Sequence, residues 1–152
     1  MYGFDDRRRP LYIFRLASRI RLEELALLER DTLSILERRE SYVSVMDLAE
    51  LQFPSQEVLA AGAKMSRRLS DPLKQIYESS AGEPHYFSAY VMGPRMAKMI
   101  DFLHRVASRG IASPTVFASV ELATAAAEQK LRDWGSSAGP PLTEAGSAGP
   151  SR

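Results

Sequence analysis

Four times over, a short stretch of strand-forming residues gives way to a longer stretch with apolar residues at helical spacing. Residues 11–18, LYIFRLAS, mix aromatic and β-branched residues with leucine and alternate in polarity, which predicts a strand. A long amphipathic helix follows over 19–40, with Leu22, Leu25, Ala26, Leu33 and Leu36 on one stripe. Residues 42–48, YVSVMDL, predict a second strand, apolar enough at its centre to sit inside a sheet. After it, Val58, Ala61, Met65 and Leu69 recur at helical spacing, with Gly62 inside the pattern. Asp71-Pro72 either restarts that helix or kinks it, and Leu73, Ile76 and Tyr77 carry its face toward a stop at Gly82. Residues 85–92, HYFSAYVM, have the strongest β propensity of the chain. The next helix turns Met96, Met99, Ile100, Leu103 and Val106 inward and stops at Gly110. A short strand at 115–119 leads to Ser119, which caps a last helix with Leu122, Ala123, Ala126 and Leu131 on its core face.

This order predicts an α/β domain over residues 11–135: a four- to five-stranded, mainly parallel sheet with helices packed against it and right-handed crossovers. Residues 1–10 are an N-terminal arm or a first edge strand. Residues 136–152 are mostly Gly, Ser, Ala and Pro. They hold too little apolar surface to offset the entropy of ordering, so a disordered tail is expected.

With 152 residues the chain makes one domain, and its net charge of +1 gives no field that would gather nucleic acid or an anionic membrane. The absence of cysteine excludes disulfides, a thiol nucleophile and thiolate-bound metal. The opening MYGFDDRRRPLYIF lacks the apolar core and cleavage site of an export signal. No apolar run approaches the roughly 20 residues that span a bilayer. A cytoplasmic protein without a membrane span is the expectation.

Chemistry-bearing motifs are missing. Neither phosphate-binding glycine pattern occurs, nor does the hydrolase Gly-x-Ser-x-Gly elbow. His85 and His104 have no Glu or second His at metal-ligand spacing. DDRRRP at 5–10 carries its own neutralising aspartates, and KMSRRL at 64–69 reads as a wet helix face. Asp47, Glu50 and Glu57 are acidic, but nothing in the sequence gathers them around a substrate. No cofactor, no metal and no enzymatic activity are expected.

The junction QFPSQEV, residues 52–58, holds the most informative serine. Ser55 directly precedes a helical pattern, and its hydroxyl is placed to cap that helix. A phosphate there would also be tolerated by the helix terminus.

Around this junction the chain resembles a known family. LYIFRLASRIRLEEL followed by YVSVMDLAELQFPSQEV is similar to the first half of a STAS domain, the fold of bacterial anti-sigma-factor antagonists. SPTVFASVELATAAAEQKL is similar to the last strand and helix of the wider STAS and CRAL-TRIO-like group of single-domain bacterial proteins. In antagonists of the family the loop ends in an Asp-Ser-Ser-Gly type motif, whose serine a partner kinase phosphorylates. Counting from Asp47, the family's Asp falls on Ser55 and its phospho-acceptor on Gln56, and no Gly follows. The switch as the family builds it is not preserved.

The resemblance implies a regulatory module that docks a protein partner through the loop and helix starting near Ser55. Asp47, Ser55, Gln56 and Glu57 are the candidate docking or switch residues, with the exposed face of 56–69 taking part. An uncovered edge strand offers self-association as a further route. The CRAL-TRIO-like relatives imply an alternative: a small apolar or lipid-like ligand in a pocket lined by Met46, Met65, Met92, Met96 and Met99.

Overall fold

The computed structural model describes residues 1–77, 83–107 and 115–138. Five strands form one mixed sheet: β1 (Tyr2–Arg8), β2 (Leu11–Leu16), β3 (Tyr42–Asp47), β4 (Tyr86–Val91) and β5 (Thr115–Phe117). They lie side by side in chain order. β1 runs antiparallel to β2, and every later pair is parallel. Tyr42 faces Tyr86 and Val45 faces Ala89, so the two most β-prone segments are neighbours at the centre of the sheet.

The described residues also form four helices, α1 (Leu22–Glu37), α2 (Gln56–Tyr77), α3 (Pro94–Ala107) and α4 (Val120–Ala138). The strand order never reverses, so right-handed crossovers bring α1, α2 and α3 to the same face. Strand side chains alternate between faces. Tyr12, Phe14, Leu16 and Tyr42 pack with Leu28, Val58, Ile76 and Met96 on the three-helix side. Leu11, Val43, Val45, Ala89 and Val91 meet α4 on the other. There Ala123 and Ala127, one helical turn apart, are wholly buried and let α4 lie close to the sheet. A larger side chain at either position would overpack the contact at a cost of about 1–3 kcal/mol.

The face that α1 turns inward differs from the leucine stripe read in the sequence. Leu22 and Leu33 are 40% and 37% exposed, and Ala26 is exposed as well. The buried side chains are Glu24, Leu28, Asp31, Ile35 and Leu36. Two acids on the inward face break the apolar pattern, and both find partners. Tyr2 Oη donates to Asp31 Oδ2 at 2.6 Å. Glu24 Oε2 lies 3.0 Å from the Met1 amino group, and its Oε1 accepts the Arg21 amide at 3.1 Å. Buried carboxylates are tolerated when they are paired in this way.

On α4, Leu122 is 56% exposed rather than in the core. Ala123 and Ala127 set how closely the helix approaches, which leaves Leu122 to the side. α2 runs through Pro72 as one helix, so Asp71-Pro72 does not restart it. α4 extends to Ala138, past the expected start of the tail at 136. The expected helix stops at Gly82 and Gly110, and residues 139–152 of the tail, lie outside the described residues.

Candidate functional site

The carboxyl ends of the parallel strands form a rim, and there the loop between β3 and α2 meets the loop between β2 and α1. β3 ends at Asp47, whose Oδ1 accepts the Ala49 amide at 3.1 Å and turns the chain. Arg15, its register partner on β2, lies 3.7 Å from Asp47 Oδ2 and donates to Glu50 Oε1 at 2.7 Å. Ser18 then staples the two loops: its amide donates to the Glu50 carbonyl and its carbonyl accepts the Gln52 amide, both at 3.0 Å. To do so Ser18 takes a φ of 60°, in the left-handed region. A non-glycine residue held there stores strain that only the surrounding bonds maintain.

Past the staple, the chain lifts Phe53 into solvent at 57% exposure. Ser55 caps α2: its Oγ accepts the Val58 amide at 3.3 Å, and its carbonyl accepts the Leu59 amide at 2.9 Å. Ser55, Gln56 and Glu57 are all exposed on the opening turn. Glu57 sits where the helix dipole favours a negative charge. The structure therefore brings three of the four sequence candidates together. Asp47 turns to Arg15 and Ala49 and shapes the loop from below.

Beneath this loop lies an apolar cavity of about 140 Å³. Leu51 and Pro54 of the loop form its roof, and Val58, Gly62 and Met65 of α2 form one wall. Leu25 and Leu28 of α1, Met99 and Ile100 of α3, and Leu16, Met46 and Tyr90 of the sheet line the rest of a space that is half open to solvent. Burial pushes the Tyr90 phenol up to about 12, so it stays neutral, and no charged side chain lines the cavity among the described residues. Of the five methionines considered from the sequence, Met46, Met65 and Met99 line it. Met92 and Met96 are buried in the surrounding core instead.

Gly62 borders the space. It stands four residues after Val58 on the inward face of α2, where the pattern calls for a large apolar side chain. A Cβ added there meets nothing within 4 Å. The interruption was visible in the sequence, whereas the exposure of Phe53 and the backbone of Ser18 had no sequence signal.

At the opposite end of the sheet, Tyr77, His85, Phe87, Lys130 and Trp134 line a shallow cleft. The His85 ring stacks on Trp134 with centroids 5.2 Å apart, and its Nε2 lies 3.9 Å from the exposed Glu83 carboxylate. No serine, threonine or cysteine is among the described residues that line the cleft. The His104 side chain lies outside the described residues. Among the described residues no three metal-ligating side chains come together. None of the described helices is long and apolar enough to cross a membrane.

No family model matches the sequence, and no match was found among curated proteins. Solved structures are similar in fold. A protein of the DUF3478 family with a SpoIIAA-like fold, from Shewanella loihica PV-4, aligns with a TM-score of 0.57 at 12% identity, covering 84% of this chain and 92% of that one. The anti-sigma factor antagonist SpoIIAA in its unphosphorylated form aligns with a TM-score of 0.57 at 13% identity, covering 87% of this chain and 98% of that one. At these identities the likeness establishes the fold. The chain has the SpoIIAA-like STAS fold, a mostly parallel five-stranded sheet with four helices.

Proposed function

We propose that this chain is a non-enzymatic, cytoplasmic regulatory module that docks a protein partner at the β3–α2 junction. The observation that carries the reading is Phe53, a large apolar side chain 57% exposed on a loop that is otherwise tied down. Ser55, Gln56 and Glu57 flank it with polar, solvent-facing groups. An exposed aromatic side chain flanked by polar residues on a stapled loop has the composition of an interface hot spot. Asp47 contributes by shaping the loop. The SpoIIAA-like fold supports the reading, since one protein that shares it is an anti-sigma factor antagonist. β1 and β5, as the sheet edges, offer self-association as the other route to a protein contact.

The test is affinity capture from the native host, comparing the parent with Phe53→Ala. The expected result is a stoichiometric partner with the parent and its loss with the variant, at an unchanged melting temperature. The same proteins recovered with both would refute docking at this junction.

The cavity favours a second reading, binding of a small apolar ligand. Its lining is uncharged and includes three flexible methionines, which adapt readily to an irregular guest. Native mass spectrometry of protein purified from its own host would reveal a retained molecule.

A further inference from the structure

The two readings share a structural element. Leu51 and Pro54 roof the cavity, and Gln52 and Phe53 lie between them in the chain. The same loop therefore faces the cavity with one set of side chains and solvent with another. Val58, which lines the cavity, is also the residue whose amide Ser55 caps. Whatever fills the space presses on the loop and on the opening turn of α2 together.

The size and lining of the space limit what fills it. Apolar protein cavities of about 150 Å³ accept benzene or xenon. A space of about 140 Å³ is of that class and holds only part of a long acyl chain. No described lining residue is charged, so nothing inside the space would pair with a carboxylate or an amine, and a charge carried into it would go unpaired. Gly62 borders the space, and a Cβ added there meets nothing within 4 Å, so a larger side chain has room to enter it.

We propose that the cavity binds a compact, uncharged aromatic or short aliphatic molecule, and that its occupancy rigidifies the β3–α2 loop and so regulates docking at Phe53. The regulatory half rests on the docking reading; the binding half stands without it.

The test titrates indole, and separately palmitate, into the full chain labelled with ¹⁵N. Indole is expected to give saturable shifts at the amides of Leu51, Val58, Gly62 and Met65, and palmitate none. Gly62→Leu fills the same space and is expected to weaken indole about tenfold or more, with the far-ultraviolet spectrum unchanged. Ser66→Leu, which narrows the cavity from the next turn, replaces it if Gly62→Leu lowers the melting temperature. Hydrogen exchange of residues 50–57 is expected to slow when indole is bound. Absence of saturable indole shifts, binding of palmitate in place of indole, or undiminished indole binding in the filled variant would overturn the site. Binding that leaves exchange at 50–57 unchanged would overturn the regulation. Neither readout involves the partner, so failure of docking shows separately, as capture insensitive to Phe53→Ala.

Discussion

Ser55 Oγ accepts the amide proton of Val58 at 3.3 Å, which makes this exposed serine the cap of the longest helix described. Ser55→Ala leaves that amide to solvent and should lower stability by about 1 kcal/mol. Ser55→Asp should restore most of the loss, because a carboxylate accepts the same bond. Urea unfolding of the three proteins at neutral pH measures both effects. Equal stability of the parent and Ser55→Ala would mean the contact is idle.

Gly62 lies in a helix interior with open space beside it. Gly62→Ala removes unfolded-state freedom without a clash and should raise stability by about 0.5–1 kcal/mol. A rise in the urea midpoint at constant slope would show it. A fall would mean that the added methyl displaces the roof of the cavity.

Tyr2 ties the edge strand to α1 through its 2.6 Å bond to Asp31. Burial, reinforced by that bond, pushes the phenol well above its ordinary range, so it remains a donor at neutral pH. Tyr2→Phe leaves a buried carboxylate oxygen short of a partner and should cost about 1–3 kcal/mol. Thermal unfolding followed by circular dichroism checks it, and a loss well under that range would show Asp31 satisfied by Arg30 alone.

Arg68 donates through Nε and Nη2 to the two oxygens of Glu29, both at 2.7 Å, and pins α2 to α1. Those bonds hold the Glu29 carboxyl below its usual range. A folded value depressed below the unfolded one, about 4.3, means the contribution is complete above that pH and fades as acid protonates the folded carboxyl. Arg68→Ala should therefore lower the melting temperature at pH 7, and the gap to the parent should close as the pH falls toward 3. A gap of the same size at both values would contradict the assignment.

The layering of strands and helices was legible because each segment carried its own period, 2 or 3.6, with few conflicting residues. The cap at Ser55 was legible for a similar reason, since capping is a contact within four residues. The inward face of α1 was not. Its burial of Glu24 and Asp31 depends on partners supplied by residues 1 and 2, which no pattern within the helix reveals. Leu122 was misplaced because the close approach of α4 is set by the small size of Ala123 and Ala127, so leucine counting along that helix misleads. Around the candidate site, local chemistry gave the Ser55 cap, whereas Gln56 and Glu57 were named through the family resemblance. The stapling of the loop and the hollow under it involve Ser18, Gly62 and three helices meeting at a distance in the chain.

The strand order has a consequence for how the protein is made. Each strand pairs with the one synthesised just before it. A chain emerging amino end first can therefore zip its sheet in the order of translation, and no unfinished edge waits for a remote segment. α4 is the exception. It is the last described element to leave the ribosome, and until it returns across β3 and β4 the valines of the second core stay wet. Birth of the domain thus ends with a latch, drawn from its carboxyl end.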